Sequence, residues 1–578
     1  MSQTLRHIVL LLAASTAVQA WTAHHAVTTA PDAVRYVALA DEMEEAGWLA
    51  TVRAESEHPL FPTLVYLTRQ ALRVARGDYA ELDATSVMLA SIVPLVLSMI
   101  PVYFLLCVLS SPRPAFIGGL FFAMLPRIAM LGPDGLSDST HLLLAATGMW
   151  TIAEFLDRLP IGRHARIVRR RTTSATGQCT AAGLSLMVGG ACLGLALAAR
   201  AEALLVLPAL LLCMAWMWFR PATRWAVPDG SVGLFAIVAG LVCTLGVYFV
   251  MIDATSPRAA RQRLLGYGDG PTTKRAARGR NESLAATYKQ ALPDGTRMSF
   301  EQKDSSVSSR FSGFAPAARQ YAVELSKMLQ PIVGVLALLG TWLMQRQAVR
   351  PSQRFAVCLF GAITLGAVFH ASHTGYLQGR HLILGVVVAL APAGWAAEAL
   401  GNKLASAIGN RLRPALAGTK QPSSGLASWG VTAVALASLL PLALRPLHAT
   451  RASHREAAVW LRQQSAEGAL VLDSHGFTGL YSGISTKNYQ SARRAFASPN
   501  LAFVVVEQGE LALESPRSKT LRHLLTTSAS EAHRFSSPTR DPRHDVIIFE
   551  WQPARFAELI NPQTKIAGSD AMLERLRR

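Results

Sequence analysis

The chain of 578 residues contains little charge and few aromatic side chains. Asp, Glu, Lys and Arg make up 16% of it and Phe, Trp and Tyr 7%, whereas 51% is hydrophobic. Soluble domains carry a clearly larger charged fraction, which argues against a soluble multidomain enzyme. Apolar runs of about 18 or more residues, long enough to cross a hydrocarbon core, recur along the sequence. The composition therefore predicts an α-helical polytopic membrane protein.

Cysteine is scarce as well, and its placement limits its role. The six cysteines all lie in or beside hydrophobic segments, and none falls in the predicted outward loops or in the tail. Neither a disulfide framework nor a cysteine-based metal site is expected, and the residues are interpreted as small buried apolar side chains.

Familiar soluble catalytic motifs are missing. The sequence contains no phosphate-binding P-loop, dinucleotide fingerprint, His-Glu-x-x-His helix or Gly-x-Ser-x-Gly elbow. A nucleotide-driven mechanism has no visible site, so the energy for any reaction must come with the substrate.

Eleven apolar segments are predicted to be transmembrane helices. They are 7–23, 86–110, 115–132, 139–156, 180–198, 203–219, 230–252, 331–345, 355–370, 381–399 and 427–444. The first of them also has the layout of a cleavable secretory signal, and removing it would leave every later orientation unchanged.

The basic residues are distributed by topology. With a cytoplasmic amino terminus, seventeen Lys and Arg fall in the short inward loops and two, Arg200 and Arg380, in the short outward loops. The positive-inside rule then fixes the orientation in the inner (plasma) membrane. Most of the net charge of +19 is explained in this way, which argues against nucleic acid as a partner.

This topology divides the chain into six parts. They are a first transmembrane helix (1–23), a first extracytoplasmic loop with surface helices (24–85), transmembrane helices 2–7 (86–252), a basic extracytoplasmic loop (253–330), transmembrane helices 8–11 (331–445) and an extracytoplasmic α/β domain (446–578). The basic loop is predicted either to be mobile and to order on binding or to be a solvated linker.

The first loop and the tail have recognisable local patterns. The first loop is acidic and contains amphipathic helical stretches at 33–46 and 62–76. The tail combines helix-like and β-rich runs, which is typical of a small α/β domain. Asp473 and His475 follow its first predicted strand; they form either a site or, as the interpretation favoured here, a structural feature.

Ionisable residues at the outer membrane face are the candidate functional residues, because such groups are costly in or near lipid. They are Asp32, Tyr36, His58, Asp138, Arg200, Glu202, Arg380 and His381. Carboxylates beside basic groups suit a reaction in which an acid accepts a proton while cations hold a phosphate leaving group.

Structural roles compete with five of these assignments. Asp32 and Asp138 each precede a predicted helix and are candidate helix caps. His58 next to a proline is also compatible with an ordinary turn residue, and Arg200 with Glu202 is compatible with a local ion pair.

Five short motifs carry a resemblance to a known family. They are Pro31-Asp32-Ala33-Val34-Arg35-Tyr36, Glu57-His58-Pro59-Leu60-Phe61-Pro62, Leu136-Ser137-Asp138, Arg200-Ala201-Glu202 and Gly379-Arg380-His381. In this arrangement, over about residues 7–400, the chain resembles the GT-C superfamily of integral membrane glycosyltransferases. The similarity is to the branch with protein O-mannosyltransferases, the aminoarabinose transferase of lipid A and lipopolysaccharide-core sugar transferases.

The resemblance implies an inverting transfer of a sugar from a polyprenyl phosphate to a lipid, glycan or protein acceptor on the outer face of the membrane. It implies Asp32 as the base and Asp138 as a residue that positions the acceptor or the sugar. His58 and Arg380, with Arg200, would contact the donor phosphate, and the basic loop would close over the donor. Tyr36, Glu202 and His381 complete the expected substrate site.

Two departures from the family pattern affect these expectations. Many relatives have Asp-Glu where this chain has Asp32-Ala33, so a divalent metal cofactor is doubtful and none is assigned. His58 replaces a lysine, which predicts pH-sensitive phosphate binding. A protein O-mannosyltransferase is disfavoured, because no large folded insertion is evident in 253–330.

Two other classes of function compete with a glycosyltransferase. A polytopic transporter or flippase of lipid-linked saccharides would have charged residues at helix centres and two repeated halves. A non-enzymatic envelope scaffold would bind a partner through the tail and would not require Asp32. The polar residues cluster at one membrane face and no repeated half is visible, which favours the enzyme.

Overall fold

The described parts of the eleven apolar segments are largely helical in the computed structural model, and 115–132 is divided between two helices and a turn. The structure describes residues 1–54, 58–79, 81–158, 175–219, 227–252, 313–346, 349–412, 428–488, 492–496 and 498–560. The first half contains α1 (Gln3–His24), α2 (Pro31–Ala46), α3 (Trp48–Ala54), α4 (Leu60–Arg76), α5 (Leu82–Leu109), α6 (Pro112–Met124), α7 (Pro126–Ala129), α8 (Asp138–Arg158), α9 (Ala175–Ala199), α10 (Val206–Trp218) and α11 (Val227–Met251).

The helices continue through the second half of the membrane region. They are α12 (Phe314–Leu329), α13 (Pro331–Met344), α14 (Pro351–Thr374), α15 (Ile383–Leu412) and α16 (Gly430–Ala443). Two 3-10 turns, Ala201–Leu205 and Gly379–Leu382, precede α10 and α15. Helices are the expected form because apolar segments in lipid must satisfy their backbone hydrogen bonds internally.

Length and hydropathy qualify part of this set as membrane spans. Among the described residues, five helical stretches are long and apolar enough: Leu82–Leu109, Ala201–Trp218, Val232–Met251, Pro351–Thr374 and Gly379–Ala407. A sixth is obtained if α12 and α13, which meet at a bend of 102°, count as one span. The other predicted segments are shorter or less apolar helices, so the number of eleven spans stays a prediction.

The apolar helices expose large side chains where lipid would lie. Phe235, Val250, Leu338 and Leu365 are each more than 60% exposed. In water such a surface would be costly, whereas lipid solvates it. The chain is therefore a membrane protein.

Close helix contacts set the position of α15. Any Cβ at Gly340 of α13 would collide with the carbonyl of Pro392, and one at Gly394 would collide with the carbonyl of Pro114 in α6. Glycine lets the backbones approach this closely, as at the small-residue interfaces of membrane helices. These contacts fix α15 and with it the 3-10 turn at its amino-terminal end.

The first loop folds into helices close to the predicted ones. The amphipathic stretches 33–46 and 62–76 correspond to α2 and α4. Arg69 of α4 is buried and binds three carboxylates, those of Asp41 and Glu44 in α2 and Asp83 in α5. This guanidinium joins three helices, because its fork can bond several carboxylate oxygens at once.

The tail forms the α/β domain predicted from the sequence. Its elements are α17 (Ala452–Gln464), β1 (Leu470–Asp473), α18 (Phe477–Ser482), β2 (Thr486–Lys487), α19 (Ala492–Phe496), β3 (Leu501–Glu507), α20 (Gln508–Leu511), α21 (Pro516–Ser528), β4 (Ala529–Phe535), β5 (Val546–Trp551) and α22 (Pro553–Ile560). The sheet order is β2-β1-β3-β5-β4. Strand β1 is parallel to β2 and β3, and β5 is antiparallel to β3 and β4.

Asp473 has a structural role in this domain. It is fully buried, and its carboxylate accepts hydrogen bonds from the backbone N–H groups of His475 and Thr478 and from the Thr478 hydroxyl. The carboxylate thus satisfies donors at the start of α18. His475 lies 3.6 Å from Glu507 and belongs to the same local polar group.

Candidate active site

Asp32 lies in the first turn of α2. Pro31 occupies the first helical position and Ala30 is the N-cap, so Asp32 is not the capping residue. Its side chain is 46% exposed and is therefore accessible from solvent. A carboxylate in the first turn is favoured by the helix dipole.

Arg380 meets this carboxylate from a distant part of the chain. Its Nη1 lies 2.6 Å from Asp32 Oδ2. Arg380 belongs to the 3-10 turn before α15, and the neighbouring Gly379 packs against Met328 of α12. Arg380 Nε has no hydrogen-bond partner in the part of the chain that the structure describes. The pair thus keeps a partly exposed guanidinium beside a partly exposed carboxylate.

Arg200 forms a second, more buried centre of charge. Its Nη1 lies 2.6 Å from Asp138 Oδ1, and its Nη2 lies 2.7 Å from Glu202 Oε1. Arg200 is 13% exposed and Asp138 only 1%. A guanidinium so enclosed by two carboxylates is stabilised by them and stabilises them in return.

Glu202 links this centre to the Arg380 turn. The same Oε1 atom lies 2.7 Å from His381 Nδ1, and His381 follows Arg380 directly. Arg380 interacts electrostatically with both Asp32 and Asp138. The residues therefore form a single polar cluster.

Tyr36 lies one helical turn after Asp32 and faces the same cluster. Its hydroxyl is 3.3 Å from Ser137 Oγ, and its ring packs edge-on against Phe61. Burial, together with nearby carboxylates, raises the pKa of Tyr36 to about 12. The phenol is therefore protonated at neutral pH and can act as a hydrogen-bond donor.

His58 lies before α4 and faces the Arg200 centre. Burial lowers the pKa of His58 to about 4, and the nearby Arg200 and His141 act in the same direction against the opposing charge of Glu202. Its Nδ1 has no hydrogen-bond partner among the described residues. The imidazole is therefore neutral at pH 7, because a buried imidazole loses the hydration of its charged form. The pH-sensitive phosphate binding expected of His58 stays a prediction.

Sequence reasoning did not assign His141 and His370 to the cluster. His141 is buried, with its ring Nδ1 3.2 Å from the carbonyl of Ala196, and the His370 ring lies 5.3 Å from that of His381. His141 follows Asp138 by three positions on one helix, a spacing that places two side chains on the same face. That spacing could have indicated it.

The described part of the basic loop forms α12 beside the cluster. Gln320 donates to the carbonyl of Leu377, close to the Arg380 turn. A groove of about 650 Å³ runs along α12, lined by Ala315, Pro316, Arg319, Gln320, Val323, Glu324 and Lys327. Residues 253–312 lie outside the described residues, so closure of this loop over a donor stays a prediction.

Within the described ranges, no group of three or more His, Cys, Asp or Glu has the arrangement of a metal site.

Comparison with known proteins gives a structural but not a sequence relationship. No family model matches the sequence, and no curated protein matches it. The structure is similar to ArnT from Cupriavidus metallidurans bound to undecaprenyl phosphate, with 13% identity, a TM-score of 0.54 and coverage of 94% of this chain and 97% of that one. For ArnT in the apo state the identity is 14% and the TM-score is 0.54, and the match covers 96% of this chain and 99% of that one.

A second type of solved structure has the same fold. The archaeal oligosaccharyltransferase AglB from Archaeoglobus fulgidus, in complex with an inhibitory peptide and a dolichol-phosphate, is 13% identical with a TM-score of 0.50. The match covers 93% of this chain and 73% of that one. Identities this low establish the architecture alone. The chain therefore shares the fold of ArnT and AglB, a helical membrane architecture of the kind predicted from its sequence.

Proposed function

We propose that the protein is an inverting glycosyltransferase that moves a sugar from a polyprenyl-phosphate donor to a cell-envelope acceptor. The observation that carries the proposal is the contact between Asp32 and Arg380. A base and a phosphate-binding cation are the two groups that such a transfer needs side by side. The similarity of the fold to ArnT bound to undecaprenyl phosphate and to AglB with dolichol-phosphate supports a lipid-linked donor.

The chemistry assigns one task to each group of this pair. The acceptor hydroxyl or amine attacks the anomeric carbon, and the bond from that carbon to the phosphate oxygen breaks with inversion. The electron pair leaves with the lipid phosphate, whose charge Arg380 stabilises, and the acceptor proton passes to Asp32. Donor binding would draw Arg380 from Asp32 toward the phosphate and free the carboxylate as a base.

The buried residues support this pair. Asp138 is too enclosed to meet a substrate, so we assign it and Arg200 to holding Glu202 and His381 in place. His58, neutral at pH 7, contributes a hydrogen bond rather than a charge to the donor. The phenol of Tyr36 donates to the sugar or the acceptor.

The orientation follows from the distribution of basic residues. The positive-inside rule assigns the short Arg- and Lys-rich loops to the cytoplasm. The cluster then lies at the outer face of the inner membrane, where lipid-linked sugars would meet an envelope acceptor. The tail and the first loop lie on the same side.

Transfer of label tests the proposal. Membranes with the intact chain are supplied with radiolabelled polyprenyl-phosphate sugars, and label in the acceptor fraction is followed. Asp32→Asn should reduce transfer by about two to four orders of magnitude, the range for a lost general base. Asp78→Asn is the matched control, since Asp78 is an exposed carboxylate of the same loop whose ion pair, within the described residues, is with Arg73.

Two results would count against this assignment. Equal transfer by the wild type and Asp32→Asn would remove Asp32 from its role as base. Absence of transfer with every donor, combined with movement of the intact lipid-linked sugar across the membrane, would favour the transporter.

A further inference from the structure

The segment that joins the last apolar helix to the tail domain runs along the residues that lead from α1 to α2. We call residues 444–451 the connector. Trp21 Nε1 donates to the carbonyl of Leu444 over 3.0 Å, and the N–H of Val27 donates to the carbonyl of Leu447 over 3.1 Å. The connector thus lies against the end of α1 and the residues that lead into α2.

His448 is the only connector residue with a left-handed backbone among those described, at φ 53° and ψ 34°. Residues with a Cβ adopt this conformation at an energetic cost, and it persists where the surroundings impose it. At this position the conformation allows a stabilising contact of 2.7 Å between His448 Nε2 and Asp134 Oδ1, and both side chains are largely buried.

Asp134 belongs to the loop 130–137, which supports the start of α2 at three points. The carbonyl of Asp134 accepts the N–H of Ala30 over 3.1 Å. A Cβ at Gly135 would lie 3.2 Å from that of Ala33, the residue after Asp32. Ser137 contacts the hydroxyl of Tyr36. The loop therefore fixes the backbone on both sides of Asp32.

We infer that His448 is a positioning residue for the proposed glycosyl transfer: its bond to Asp134 locks the loop 130–137, and the loop holds Asp32 in line with Arg380. This inference rests on the proposed function for its catalytic part only. Nucleophile and base must be held to within about 1 Å for efficient transfer. A more mobile loop should therefore lower the rate of transfer more than it weakens donor binding.

Kinetics test the catalytic part. His448→Ala should lower kcat about tenfold or more while the KM for the donor changes by about threefold or less. His448→Gln, whose amide can still donate to Asp134, should restore most of kcat. The Asp134→Ala variant, which lacks the accepting oxygen, should reproduce the loss, and the double variant should be no worse than either single one, because both remove the same contact.

Hydrogen exchange tests the positioning without any need for activity. The amides of Thr29 and Ala30, which donate to Tyr481 Oη and to the Asp134 carbonyl, should exchange faster in His448→Ala than in the wild type. Arg517→Ala is the matched control, because it removes the comparably buried Arg517–Glu510 pair inside the tail domain, away from the connector.

The outcomes separate the two proposals. Unchanged exchange at Thr29 and Ala30 in His448→Ala, or an equal increase in Arg517→Ala, would overturn the positioning role. Faster exchange in His448→Ala alone, in a protein that transfers no sugar from any donor, would uphold the His448–Asp134 lock and overturn the glycosyl transfer.

Discussion

Arg380 Nη1 lies 2.6 Å from Asp32 Oδ2 although 348 residues separate the two along the chain. Asp32 lies in the first turn of α2, and Arg380 precedes the long apolar helix α15. Their contact brings the first third and the middle third of the chain together in one polar cluster. In the proposed reaction it also couples release of the base to binding of the donor phosphate.

Replacing Arg380 tests this coupling. Arg380→Ala should reduce kcat/KM for the lipid-phosphate donor by about 100-fold or more, because a charge-assisted hydrogen bond to a phosphate is lost. Titration of the donor in a transfer assay measures the effect. Arg346→Ala is the control, since Arg346 stacks on Trp342 at the carboxyl-terminal end of α13. A similar loss of kcat/KM in both variants would refute a specific role for Arg380.

The Arg200 centre predicts a loss of stability. Arg200→Ala should lower the free energy of unfolding by about 3–5 kcal/mol, because Asp138 and Glu202 would remain buried without their cation. Thermal unfolding in detergent measures the change. Arg158→Ala, which breaks an exposed pair with Glu154, should cost about 1 kcal/mol or less. Equal shifts in the two variants would be inconsistent with a buried centre.

His58 predicts a pH dependence of stability. In the unfolded chain its imidazole takes up a proton near its ordinary pKa of 6.5, whereas the folded state keeps it neutral until the pH approaches 4. The stability contribution of His58 is therefore complete above pH 6.5 and falls by about 1.4 kcal/mol per pH unit as the pH drops toward 4.

The variant that isolates this effect is His58→Gln, which cannot titrate. Its unfolding temperature should depend less on pH than that of the wild type between 6.5 and 4. Parallel curves for the two proteins would mean that His58 is accessible to protons in the folded state. Donor binding by the wild type should vary little between pH 6.5 and 8.

Arg69 predicts that the first loop depends on a single cation. Arg69→Met should destabilise the protein by about 1–3 kcal/mol, since hydrogen bonds to three carboxylates are lost although these remain partly hydrated. Limited proteolysis of the first loop and thermal unfolding of the protein both measure this loss of stability. Arg73→Met, at a more exposed position with two carboxylate partners, should cost less; the reverse order would contradict the proposed role.

Local pattern predicted most of the elements. The amphipathic stretches of the first loop became α2 and α4 to within two residues at their starts, because helical periodicity is a local property. In the tail, the apolar runs at 469–473, 501–506 and 545–549 correspond to β1, β3 and β5. The two edge strands were not predicted, because β2 has only two residues and β4, Ala529–Phe535, is mostly exposed and polar.

The sequence by itself determined that this chain is a helical membrane protein with polar residues gathered at one face, because runs of apolar residues and the asymmetry of basic loops act locally. Tertiary structure alone decided which charges meet. Arg380 could have faced Asp32 or Asp138, and Asp134 gave no sign of a partner in His448, since such contacts depend on how distant helices pack. Burial, which also follows from packing, decided that His58 is neutral and that Asp138 is enclosed beside Arg200.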